Sequence, residues 1–101
     1  MIMHRVKFRS NLDRESLWKV AREREPAYRK VPGLLQKFYV EMNEPNTYAG
    51  FMVWESAEAL AAFRETELSK TVGQAYAVDG APDVEIGQIE IFLHDAVMIA
   101  A

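Results

Sequence analysis

The chain has 101 residues, half of them hydrophobic, which suits one domain over residues 1–101. It has no cysteine and a formal charge of −3, which excludes disulfides and thiolate nucleophiles and argues against a nucleic-acid partner. No stretch is apolar enough to span a bilayer and none resembles a signal peptide, so we expect a cytoplasmic protein with no membrane contact.

The first predicted element is a strand over residues 2–9, where alternate residues form one largely apolar face: Ile2, His4, Val6 and Phe8. A helix is expected next, because Asn11 or Asp13 can cap its first turn and apolar residues recur at helical spacing from Leu17. Pro26 predicts a kink or a break in this helix, since proline has no amide hydrogen and crowds the carbonyl one turn earlier. The segment Val31-Pro32-Gly33 predicts its end.

Two strands and a second helical region follow. The strand over residues 34–42 has an apolar face that carries Leu34, Gln36, Phe38, Val40 and Met42, with Lys37, Tyr39 and Glu41 opposite. After a turn at residues 43–46, the strand from Tyr48 to Trp54 is apolar on both faces, which predicts a central position in the sheet. Ser56 is expected to cap the second helix, and residues 69–78 are expected to form a further helical piece.

The last predicted strand covers residues 84–94, after a loop at residues 79–82. The element order predicts an α+β domain of the ferredoxin-like β-α-β-β-α-β type, with a four-stranded antiparallel sheet and helices on one face. Strands one and four are neighbours in this topology, and matching their apolar faces places Val6 opposite Ile91 and His4 opposite Leu93. The uncharged tail over residues 96–101 is expected to be buried, either against a second copy of the chain or on its own domain.

Three segments resemble a known family: Val31-Pro32-Gly33-Leu34-Leu35, the strand end from Phe51 to Ser56, and the helix from Ala57 to Phe63. With the element order, they make the chain similar to the dimeric α+β barrel proteins of the antibiotic-biosynthesis monooxygenase type, and especially to the YdhR-type mono-oxygenases. The resemblance implies a homodimer with two sheets back to back, and a ligand cavity between each sheet and its own helices. It also implies oxygen chemistry without metal, flavin or other cofactor on a small aromatic compound such as a polyphenol or quinone. Haem degradation is not expected, because the first strand lacks the Asn of the haem-degrading members.

His4 is the first candidate for catalysis, because its place on the apolar face directs the imidazole under the helices. There it could exchange a proton with a phenol near physiological pH. A core histidine bonded to a backbone carbonyl is the alternative interpretation. His94 is expected on the opposite face of its strand, so the two histidines do not form a metal pair and no metal site is predicted.

Two groups of side chains are candidates for ligand binding. Arg24, at a core-facing helical position, and Gln36 could steady negative charge, although Arg24 could also extend to the surface. The aromatic candidates, which could stack on a flat ring or be plain core, are Tyr28, Tyr39, Trp54 and Tyr76. The resulting hypothesis is a monooxygenase. A non-catalytic dimeric ligand-binding protein and an isomerase or lyase on the same fold are the alternatives.

Overall fold

The computed structural model describes residues 1–94, which form one antiparallel sheet with helices on one face. The elements in chain order are β1 (Ile2–Ser10), α1 (Arg14–Tyr28), β2 (Leu34–Glu41), β3 (Thr47–Trp54), α2 (Ala57–Arg64), α3 (Glu67–Lys70), α4 (Val72–Ala75) and β4 (Val78–Gln88). The strand order β2-β3-β1-β4 confirms the predicted ferredoxin-like fold and the central position of β3. The uncharged tail lies outside the described residues, and its burial stays a prediction.

The first helix begins as predicted, but Pro26 does not break it. Asp13 caps α1 by accepting a hydrogen bond from the Ser16 amide at 2.7 Å. The helix continues through Pro26 to Tyr28. Pro26 is exposed and lies in the last turn, so its ring meets solvent and the missing amide leaves only one carbonyl to be hydrated near the helix end.

The predicted faces of β2 are wrong after its first residue. Leu34 pairs with Trp54 and Gln36 pairs with Val53, so two residues of β2 span one step of β3. This bulge reverses the direction of every later side chain in β2. Lys37 and Tyr39 therefore face the helices, and Phe38 faces away from them.

The fourth strand begins earlier than predicted, and the predicted loop at residues 79–82 is part of it. Val6 pairs with Val84 and His4 pairs with Ile86, so the pairing predicted with Ile91 and Leu93 is wrong. Both of those residues are 87% exposed. Pro82 is tolerated because β4 is an edge strand, and an irregularity opposite Phe8 accommodates the residues around it. The helical piece predicted over residues 69–78 is present as the two short helices α3 and α4, and it ends before Val78, which belongs to β4.

Two core clusters lie between the sheet and the helices. The first contains Tyr28, Met52, Trp54, Leu60 and Phe63, and the second contains Leu17, Ala21, Tyr48 and Tyr76. Ser56 caps α2 by accepting a hydrogen bond from the Ala59 amide, as predicted, which fixes the helix that supplies Leu60 and Phe63. No helix within residues 1–94 is long and apolar enough to cross a membrane.

Gly33 gives the first stability prediction. Its φ is +78°, and an added Cβ would lie 2.5 Å from the Cβ of Ala59, so Gly33→Ala combines backbone strain with a clash against α2. We expect a loss of about 2–4 kcal/mol in the free energy of unfolding, measured by urea denaturation. The control is Gly73→Ala in α4, where an added Cβ meets no atom within 4 Å. Equal unfolding midpoints for the two variants would contradict the prediction.

Candidate functional site

A cavity of about 580 Å³ lies between the sheet and the helices, and residues of both core clusters contribute to its walls. Most of the walls are apolar or aromatic, with Phe8, Trp18 and Tyr48 among them. The polar exceptions include His4 from β1, Lys37 from β2 and Arg64 from α2. Such a volume falls within the roughly 300–1,000 Å³ typical of small-molecule sites.

His4 lies in this cavity wall, as the alternation of β1 predicts. The residue is 5% exposed, and its buried Nδ1 has no hydrogen-bond partner within residues 1–94. Burial, together with the positive charges of Arg64 and Lys37, lowers the pKa of His4 to about 4. The imidazole is therefore neutral at pH 7, and a ligand hydroxyl could donate a hydrogen bond to it.

Lys37 lines the cavity but was not among the residues predicted for the site. Its Nζ lies 4.3 Å from the ring centroid of Tyr28 and 4.8 Å from that of Tyr39. No carboxylate forms an ion pair with it within the described part of the chain. Burial lowers the pKa of Lys37 to about 8, and the charge of Arg24 contributes. The only sequence signal was a lone cation in an apolar strand, and the bulge that turns it inward is not visible in the pattern.

Three tyrosines of the cavity wall, Tyr28, Tyr39 and Tyr76, stay protonated at pH 7 and can act as hydrogen-bond donors. Burial raises the pKa of Tyr76 to about 12 and raises the pKa values of Tyr28 and Tyr39 as well. The buried hydroxyl of Tyr39 has no partner within residues 1–94. A polar ligand atom could satisfy it.

The seven residues predicted for the site separate into two groups. His4, Tyr28, Tyr39 and Tyr76 line the cavity, whereas Arg24, Gln36 and Trp54 are not part of its walls. Trp54 is fully buried core and packs against Phe63 with ring centroids 5.1 Å apart. The bulge in β2 places Gln36 on the opposite face of the sheet, where its side-chain oxygen accepts a hydrogen bond from the Lys37 amide.

Arg24 connects helices instead of facing a ligand. Its Nη2 donates hydrogen bonds to the Leu68 carbonyl at 2.6 Å and to the Thr71 hydroxyl at 3.3 Å. The guanidinium carbon also lies 5.9 Å from the ring centroid of Tyr76. Arg24 thus joins α1 to the α3–α4 segment behind the cavity wall, and its charge has no carboxylate partner among the described residues.

Within residues 1–94, no three His, Cys, Asp or Glu side chains lie close enough together to hold a metal ion. His94 is exposed and lies beyond the end of β4. The two histidines are therefore not cross-strand neighbours, because His4 pairs with Ile86 instead.

Residues 1–94 form an α+β domain with a cavity between its sheet and its helices, and this fold is that of the antibiotic biosynthesis monooxygenases. SnoaB, a cofactor-independent oxygenase from Streptomyces nogalater, is 14% identical, covers 91% of this chain and 95% of its own, and has a TM-score of 0.74. A protein from Caulobacter crescentus that is proposed to be an antibiotic biosynthesis monooxygenase is 21% identical, with 88% and 90% coverage and a TM-score of 0.74. A protein from Deinococcus radiodurans with the same proposed activity is 12% identical, with 93% and 97% coverage and a TM-score of 0.74.

No family model and no curated protein matches the sequence. Identities this low establish the fold and no more. The expected closer similarity to the YdhR-type mono-oxygenases stays a prediction.

Proposed function

We propose that the protein is a cofactor-independent monooxygenase that oxidises a small, electron-rich aromatic compound, such as a polyphenol or quinone-like molecule. The observation that carries this proposal is an aromatic cavity lined by both His4 and Lys37. The Nδ1 of His4 has no hydrogen-bond partner within residues 1–94. The fold shared with SnoaB supports the proposal. Two or three fused rings suit the cavity volume of about 580 Å³.

The proposed chemistry begins with a phenolic hydroxyl that donates its proton towards His4. Lys37, which is largely protonated at pH 7 with a pKa of about 8, stabilises the phenolate that forms. The negative charge in turn raises the pKa values of both His4 and Lys37, so proton transfer and anion binding support each other.

The anionic ring then reduces oxygen without help from another group. When one ring methylene becomes a carbonyl, the substrate loses four electrons and one O₂ gains four. One oxygen atom enters the product and the other leaves as water, so no external reductant is required. The apolar walls exclude water and strengthen the electrostatic effect of Lys37 on the anion.

Oxygen uptake by the purified protein, with EDTA and no added flavin, tests this proposal. With anthrone, hydroquinone and naphthol substrates, we expect uptake above the no-protein control, and we expect His4→Phe to weaken it. His94→Phe, at an exposed position outside the cavity, is the matched control and should leave uptake unchanged. A flat oxygen trace with ligands that still quench tryptophan fluorescence would indicate a binding protein. Substrate conversion without oxygen consumption would indicate an isomerase or lyase.

We also propose that the protein is a homodimer that associates through the sheet face opposite the helices. The β2–β3 part of this face is apolar and includes Phe38, Val40, Ala49, Phe51 and Val53, whereas β1 contributes Met3 together with Arg5 and Lys7. Phe38 is 49% exposed and stacks on Phe51 with ring centroids 5.0 Å apart. A partly exposed apolar patch with aromatic rings, bordered by charged residues, is typical of a protein interface.

Light scattering at micromolar concentration tests the dimer. We expect the mass of a dimer for the wild-type protein and of a monomer for Phe38→Glu, because a carboxylate at this position would be buried against the apolar side chains of the interface. Ala61→Glu, at an exposed position of α2, is the control and should remain dimeric. A wild-type monomer would contradict the proposal.

A further inference from the structure

Positive charge collects in the cavity of a protein that is acidic as a whole. The formal net charge is −3, yet the described cavity wall contains the cations Lys37 and Arg64 and no Asp or Glu. On the rest of the surface, several cations form ion pairs with carboxylates: Arg5, Lys7, Arg9, Arg14 and Arg29. The cavity therefore holds charge that carboxylates of the described chain do not balance.

The unbalanced charge of Lys37 lowers the stability of the folded protein. Its ammonium group lies between the rings of Tyr28 and Tyr39, which attract it through their π faces but carry no formal charge. An incompletely solvated cation without an anionic partner destabilises a fold. An anion that entered the cavity would remove this penalty on binding.

Arg64 places a second cation within reach of the same space. It is the last residue of α2, it is exposed, and it lines the cavity, so its guanidinium lies at the rim while Lys37 lies between aromatic rings. The charges of Lys37 and Arg64 both lower the pKa of His4, so each cation lies within electrostatic range of that ring. An uncharged phenol would leave the two cations to repel each other. A carboxylate would neutralise this charge, because it can accept hydrogen bonds from both Lys37 and Arg64.

We infer that the ligand of this cavity is an aromatic carboxylate, held by Lys37 inside the cavity and by Arg64 at its rim. The inference rests on the proposed function for its role in catalysis, and it narrows the substrate class to phenolic carboxylic acids. The carboxylate meets the two cations, and the neighbouring hydroxyl meets the unpartnered Nδ1 of His4. The ring then lies among the tyrosines of the cavity wall.

The test compares two probes of the same shape in the absence of oxygen, by tryptophan fluorescence at pH 7 and low salt. The probes are a hydroxynaphthoate and the corresponding hydroxynaphthamide, which lacks the charge. We expect the carboxylate to bind about 10-fold or more tightly than the amide, as for charge-assisted hydrogen bonds that replace neutral ones. Lys37→Met should abolish the preference, and Arg64→Gln should reduce it severalfold.

Lys30→Met is the matched control, because Lys30 is exposed and lies outside the cavity wall. It should bind both probes as the wild-type protein does. Equal affinity of the wild-type protein for the two probes would overturn the inference, as would a preference that survives in Lys37→Met. Circular dichroism of each variant separates a lost contact from a lost fold.

Binding without oxygen keeps this inference separable from the oxygenase. Carboxylate preference with no oxygen uptake on any phenol would support the anion site and reject the monooxygenase. Oxidation of naphthol, with no preference for the carboxylate probe over the amide, would support the monooxygenase and reject the anion site.

Discussion

Lys37→Met is expected to stabilise the protein by about 1 kcal/mol while lowering turnover of a phenolic substrate by about 10²–10³-fold. Burial lowers the pKa of Lys37 from 10.5 to about 8, so folding disfavours the charged form. Solvent reaching a half-buried side chain screens this penalty, and the contacts with the Tyr28 and Tyr39 rings offset part of it. Methionine keeps a stem of similar length without the charge. Urea denaturation and oxygen uptake measure the two effects on one preparation.

The stability gain should also depend on pH. Between pH 8 and 10.5, the unfolded chain still binds a proton at Lys37 and the folded chain does not, so wild-type stability rises with pH in this window. The difference between wild type and variant should therefore be largest below pH 8 and should close as the pH approaches 10.5. Lys30→Met should show neither effect. A variant that is less stable at pH 7, or that turns over substrate normally, would contradict the assigned role.

His4 is expected to make the folded protein sensitive to mild acid and to lower turnover by about 10²-fold when it is replaced by phenylalanine. The pKa of His4 is lowered from 6.5 to about 4, mainly by burial. As the pH falls from 6.5 towards 4, the unfolded chain binds a proton that the folded chain does not, so stability is lost across this window and is fully present above it. Allowing for screening in an open cavity, we expect a loss of about 2 kcal/mol.

Unfolding midpoints measured at several pH values between 4 and 7 check this expectation. His4→Phe should lose less stability than the wild-type protein across the same range, because phenylalanine binds no proton. His94→Phe should retain the wild-type slope, since His94 is exposed and lies outside the cavity. NMR titration of the His4 ring gives its pKa directly. Identical slopes for all three proteins would show that His4 is not held neutral by the fold.

The sequence by itself determined the order of the main strands and helices and the residues at which the two main helices begin. These features depend on local rules: alternation in β1, the capping oxygens of Asp13 and Ser56, and turn residues between strands. The order β-α-β-β-α-β then restricts the topology, because right-handed crossovers leave few arrangements. The face on which His4 lies was also predicted correctly, because the first six residues of β1 pair with both neighbouring strands without a bulge.

Tertiary structure decided which later side chains enter the cavity. A single extra residue in β2 reverses its faces, so Lys37 and Tyr39 face the helices while Gln36 and Phe38 do not. Periodicity in one strand cannot reveal this bulge, because it is defined by pairing with β3. The position of β4 is likewise set by its pairing with β1. Local rules predict a loop at Pro82, but an edge strand tolerates proline. The site's charge balance follows from these long-range pairings, and so it became visible only in three dimensions.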